Sequence, residues 1–107
     1  MKIGVSAMGD SCDADVSPQF ARCPYFLIVD SETREFEAFS NSAAEASHGA
    51  GPAAVRELAD RDVSVVLAGK IGPNAERALA AAGIEFAQAE GKISDAIDSY
   101  LRDAAST

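Results

Sequence analysis

The sequence predicts an α/β fold: a five-stranded mixed sheet with three helices, in the order β-β-β-α-β-α-β-α. Three observations carry that prediction. Two strand-like runs, Tyr25–Asp30 and residues 35–40, are joined by a short polar turn and read as an antiparallel hairpin. Two Gly-Pro pairs, Gly51-Pro52 and Gly72-Pro73, each open a helical pattern that leads into a short apolar run. Near the C-terminus, Ile93, Ala96, Ile97, Tyr100 and Leu101 recur at helical spacing.

The elements follow in order. Residues 2–7 alternate and then turn apolar, the pattern of a first strand. Residues 8–24 have no period; Gly9, Asp10, Ser11, Asp13, Asp15 and two prolines mark a loop. At about 17 residues it is longer than ordinary connections, and such loops are usually functional or disordered. Tyr25-Phe26-Leu27-Ile28-Val29-Asp30 is an aromatic and β-branched run that suits a buried strand. Residues 35–40 alternate with period two, so Phe36 and Phe39 cannot both point inward without a bulge. A small, polar stretch (41–51) precedes the first helix, expected to begin at Gly51-Pro52 with proline at its first position. Ala54, Val55, Leu58 and Ala59 would form its inner face. Residues 63–68 are nearly all apolar, as in a buried parallel strand. The second helix opens at Gly72-Pro73, and Gly83 supplies a left-handed cap. Residues 84–87 form a last short strand before the third helix. One domain is expected over residues 1–103, with 104–107 as a frayed tail.

Placing the hairpin beside strand one and adding the right-handed crossovers on its other side gives the strand order 3-2-1-4-5. That is a mixed, ribonuclease H-like sheet. Its first strand carries no acid between Ile3 and Ala7, which argues against a carboxylate nuclease site.

Composition excludes several classes of function. The 107 residues carry 17 acids against 9 bases, a net charge of −8 that repels phosphate backbones. Aromatics are 7% with no Trp, leaving few platforms for stacking bases. Nucleic acid is therefore not an expected partner. No apolar run is long enough to cross a membrane, and the N-terminus lacks a signal-peptide core, so a cytoplasmic protein with reduced cysteines is expected. Two cysteines make no disulfide framework.

In this topology the loops after strands one, three and four meet at the carboxyl edge of the parallel strands, where open α/β sheets usually bind ligands. That edge would gather Cys12, Cys23 and the only histidine, His48, with two glycine-fronted helix N-termini. Gly49, Gly51 and Gly72 would expose backbone N–H groups to an anion, and Arg22 and Lys70 would add charge. Ordinary helix capping is the bland alternative. Neither glycine stretch has P-loop or dinucleotide spacing. Cys12 and Cys23, with ten residues between them, match no standard metal spacing. They read as plain free thiols, as ligands, or as a redox pair. Arg22 would favour a Cys23 thiolate, whereas Asp10, Asp13 and Asp15 would disfavour one at Cys12. Cys23 is thus the better ligand candidate. A thiol enzyme using Cys23 is a weaker option and requires a depressed thiol pKa.

The segment Ser17-Pro18-Gln19-Phe20-Ala21-Arg22-Cys23-Pro24-Tyr25-Phe26 resembles the Pro-Arg-Phe-Gly-Arg-x-x-x-Phe stretch of the dinitrogenase iron–molybdenum cofactor biosynthesis family. Asn41, His48-Gly49-Ala50-Gly51, Val63 through to Gly72-Pro73-Asn74-Ala75, and Ala82-Gly83-Ile84 match in the same order. The family includes NifX-like proteins, the carboxy-terminal part of NifB, and small stand-alone prokaryotic members. Resemblance implies a ribonuclease H-like fold and a non-catalytic protein that binds, carries or stores an iron–sulfur or molybdenum-containing cluster. It also implies a partner protein in cofactor assembly. Cofactor-binding branches often have a His-Phe-Gly version of the motif; here Gln19 and Ala21 stand at the outer positions. On this reading Cys23, Cys12 and His48 would be metal ligands, and Arg22, His48, Gly49, Gly51, Lys70 and Gly72 would hold the anionic cluster. The alternative is a metal-free acidic adaptor that binds a partner protein.

Overall fold

The computed structural model describes residues 1–42 and 49–105. Its elements are β1 (Lys2–Ala7), β2 (Tyr25–Asp30), β3 (Phe36–Ser40), α1 (Ala50–Ala59), β4 (Val65–Ala68), α2 (Pro73–Ala82), β5 (Glu85–Gln88) and α3 (Ile93–Ala105). They form one five-stranded sheet in the order β3-β2-β1-β4-β5, as expected. The β1–β2 and β2–β3 pairs are antiparallel, and the β1–β4 and β4–β5 pairs parallel.

Alternation along the strands sorts the core into two layers. Phe26, Ile28, Val66 and Ala68 face α1 and α2, where they pack with Ala54, Val55, Leu58, Ala75 and Leu79. Ile3, Val5, Leu27, Val29, Val65 and Leu67 face the other way, onto Ile93, Ala96 and Ile97 of α3. Phe36 and Phe39 obey the same period and lie on opposite faces. Phe39 stacks near Phe26 under the Arg61 guanidinium, and Phe36 is 46% exposed beside Val29.

Element ends differ from expectation in small ways. Helix α1 begins at Ala50, so Pro52 is its third residue; the left-handed Gly49 (φ 71°) ends the preceding chain one turn position earlier. Gly83 closes α2 in the left-handed conformation, as its sequence position suggests. Helix α3 continues through Ala105, past the point where a frayed tail was expected; residues 106 and 107 lie outside the described part.

The long 8–24 loop is a strap rather than a lobe. Its first half lies on the α3 side, where Val16 bridges Ala7 and Asp15 bridges Lys92. It then crosses the end of the sheet. Ser17 N donates to Ser6 O (2.8 Å) and Ser17 O accepts from Gly69 N (3.1 Å), so the crossing is tied to β1 and to the end of β4. A Cβ on Gly69 would stand 2.6 Å from Pro18 Cα, so only glycine lets the strap lie this close. Beyond the crossing, Phe20 and Cys23 are buried on the α1/α2 side.

Candidate functional site

The α1 and α2 N-termini lie side by side. Gly51, in the first turn of α1, faces Ala75, in the first turn of α2; a Cβ on Gly51 would come within 2.9 Å of Ala75 Cβ. Glycine at 51 is therefore explained by helix contact, a cause the sequence reading did not anticipate. Between the two helix ends opens a cleft of about 220 Å³ lined by Ala21, Arg22, Gly49, Ala50, Gly51, Pro52, Gly72, Pro73, Asn74 and Ala75.

Neither helix has a side-chain N-cap: Gly49 and Gly72 occupy the cap positions. The first intrahelical bonds run from Ala53 N to Gly49 O and from Glu76 N to Gly72 O. The N–H groups of Ala50, Gly51, Asn74 and Ala75 precede those bonds and have no acceptor within their helices, while Pro52 and Pro73 have no N–H. Such groups, at the positive ends of two helix dipoles in a cleft that Arg22 also lines, make an anion-receptive edge. Gly72 is the informative residue. Its backbone is extended (φ −80°, ψ 164°), and no described residue lies within 4 Å of where its Cβ would be. Each of the other seven glycines has either a left-handed backbone or a neighbour at 3.2 Å or closer to its Cβ position. Among the described residues, neither strain nor close contact requires glycine at 72, which is an N-cap position where Ser, Asp or Asn would serve as well, and it lines the cleft.

The structure thus brings Arg22, Gly49, Gly51 and Gly72 to one cleft. Lys70 lines a neighbouring cavity of about 500 Å³ with Val16, Pro18, Gly69, Gln88, Ala89 and Glu90. His48 lies outside the described residues; Gly49, which follows it in sequence, is on the cleft wall.

The cysteines do not converge. Cys23 packs in the α1/α2 layer and Cys12 against the α3 layer, because the strap crosses the sheet between them. Among the described residues, no group of three or more His, Cys, Asp or Glu side chains is arranged to hold a metal ion. Cys23 is 1% exposed and does not line the cleft; its Sγ donates to Phe20 O at 3.2 Å. Burial pushes its thiol up to about 11, outweighing the hydrogen bonds that would lower it. That shift runs opposite to the thiolate that Arg22 was expected to favour, and it weighs against Cys23 as a nucleophile. Cys12, partly buried, is also raised: chiefly by burial, with Asp13 adding to the effect and Arg34 opposing it.

One residue of the site has little signal in its own spacing. Asn41, just after β3, is buried, and its Nδ2 donates to Ala21 O at 2.9 Å and to Cys23 O at 3.0 Å. An asparagine ending a strand reads as a turn former; only its partners reveal more.

Fold and cleft together define a class: a small mixed-sheet α/β domain whose two crossover helices present uncapped N-termini side by side. The chain belongs to the dinitrogenase iron–molybdenum cofactor family, whose model matches residues 1–103. It is similar to the apo form of the orange protein from Desulfovibrio gigas, with 38% identity, a TM-score of 0.92, and 95% of this chain and 88% of that chain covered. A candidate NifB protein from Thermotoga is 33% identical, with a TM-score of 0.82 and coverage of 94% and 87%. An uncharacterized protein of Methanocaldococcus jannaschii, MJ0580, is 32% identical over 77 residues, which span 69% of this chain and 65% of that protein. No helix among the described residues is long and apolar enough to cross a membrane.

Proposed function

We propose that this protein binds and carries an anionic metal–sulfide cluster, an iron–sulfur or molybdenum-containing one, without catalysing a reaction on it. The family supplies the cargo class, and the cleft between α1 and α2 supplies the chemistry. The observation that supports the reading is Gly72: an N-cap glycine with an unstrained backbone and no described residue within 4 Å of its Cβ position, in the wall of the cleft. Sulfide-rich clusters bear negative charge on their outer atoms. The N–H groups of Ala50, Gly51, Asn74 and Ala75 would donate to those atoms, and Arg22 would neutralise charge. His48, next to Gly49, is the candidate for direct ligation. Cys23 would act beneath the cleft through its hydrogen bond rather than on the metal, and Lys70 would contribute only long-range charge. The sheet order is one we read as ribonuclease H-like, with cargo binding in place of nuclease chemistry.

The test is anaerobic reconstitution with iron, sulfide and molybdate, followed by visible absorption and metal and sulfide analysis. Wild type should retain metal and sulfide together; Gly72→Val, which fills the cleft mouth, and Arg22→Ala should each lose most of it. Retention equal to wild type in both variants would overturn the reading. The adaptor reading has one observation in its favour. A groove of about 500 Å³ between β5 and α3 combines Leu67, Ala87, Ala89 and Tyr100 with the acids Glu90, Asp95 and Asp103. Metal-free protein after anaerobic purification, with a basic partner bound, would favour it.

A further inference from the structure

Arg22, the one arginine among the described residues that line the cleft, sits on a short turn, residues 20–23, that belongs to no helix or strand. Such a turn would be expected to move, yet its carbonyl groups are held from beneath. Phe20 O accepts from Cys23 Sγ (3.2 Å), Ala21 O and Cys23 O accept from Asn41 Nδ2 (2.9 and 3.0 Å), and Pro24 O accepts from Asn41 N (3.0 Å). Phe20 N completes the set by donating to Lys70 O at 3.0 Å. The two hydrogens of one amide thus go to the carbonyls on either side of Arg22. That geometry also fixes the amide's orientation, since two carbonyl oxygens can be met only by its nitrogen.

We propose that Asn41 is the positioning residue for Arg22: its amide holds the carbonyls of Ala21 and Cys23, the residues before and after that arginine, and so sets the backbone from which Arg22 reaches the cleft. This rests on the cluster-binding reading of the same cleft and deepens it. The physical basis is cost of order. An arginine on a loose turn loses backbone and side-chain freedom when it meets an anion. A turn already held by buried hydrogen bonds has lost the backbone part beforehand. Those bonds are strongly enforced, because a carbonyl left unmet there is costly. Cys23 supports the same device through Phe20 O, which accounts for a buried, protonated thiol under an anion site.

Tetrathiomolybdate, a molybdenum–sulfide dianion, serves as the probe in equilibrium titrations of the full chain, with thermal unfolding measured on every variant. Arg22→Ala and Asn41→Ala should each weaken binding about tenfold, the effect of one lost charge-assisted hydrogen bond. In the Arg22→Ala background, Asn41→Ala should cost no further affinity, although it still lowers thermal stability. A purely structural role would instead reduce affinity again in that background, and this result would overturn the proposal, as would unchanged binding by Asn41→Ala alone. Cys23→Ser, which keeps an O–H donor for Phe20 O, should bind within about twofold of wild type. If Asn41→Ala does not fold, Asn41→Ser takes its place in the same cycle. Unchanged binding by Arg22→Ala would sink the site itself, a failure distinct from that of the clamp.

Discussion

Helix α3 and the pair α1/α2 start alike, after a glycine-bearing loop at the same end of the sheet, but they use their N-termini differently. At α3, the strap carbonyls satisfy the first turn: Ile93 N donates to Ala14 O and Ser94 N to Cys12 O. At α1 and α2, glycine caps leave the corresponding groups facing a cleft. The cysteines follow the same division. Cys12 lends its carbonyl to a helix end, whereas Cys23 lends its thiol to a turn beneath the cleft. Free helix ends are thus a local decision of the sequence, made by what precedes each helix. One face uses them to hold the fold together, and the other keeps them open.

That asymmetry can be broken most forcefully at the helix contact. Gly51→Val drives a side chain into Ala75 and should destabilise the protein by about 3 kcal/mol in urea unfolding, with loss of tetrathiomolybdate binding. The cysteines offer the next largest contrast. Cys23→Ala removes a buried side chain and leaves Phe20 O without its donor, so it should cost about 2 kcal/mol; Cys12→Ala should cost less than about 1 kcal/mol. Equal costs would contradict the division of labour. Alkaline pH gives a smaller effect with a defined sign. Because the folded Cys23 thiol titrates near 11 rather than at its ordinary value of 9.0, the folded state holds a proton that the unfolded chain releases. Its stabilising contribution is complete below pH 9 and fades as pH rises toward 11, by about 1 kcal/mol at pH 10. Cys12 acts in the same direction. Denaturant midpoints across pH 8–10.5 should flatten in Cys23→Ser, which does not titrate there. The smallest change in stability should come from Gly72→Ser: a serine cap should gain a few tenths of a kcal/mol while competing with the anion. Stability rising as binding falls would identify Gly72 as a ligand-approach position; the two rising together would not.

The strand order was readable because periodicity assigns faces within regular elements. Gly-Pro punctuation and Gly83 located the crossover helices for the same local reason. A loop has no period, so nothing in residues 8–24 announced that the chain changes face between Cys12 and Cys23. The clue was displaced, resting on Gly69 and its need to pass under Pro18. Arg22, Gly49, Gly51 and Gly72 could be placed together from topology, since each borders a strand end or helix start. Asn41 could not, because its role depends on carbonyls that only the folded turn brings within reach.

The strap crossing also bears on how the molecule assembles. Ser17 meets Gly69, and Phe20 meets Lys70, across nearly half the chain, and neither bond can form before β4 has docked beside β1. Closing so large a loop is entropically slow compared with zipping the β2–β3 hairpin. The turn bearing Arg22 is therefore set late, on a sheet that already exists. A nascent chain would acquire its sheet before the cleft between α1 and α2 gains the wall that Ala21 and Arg22 supply.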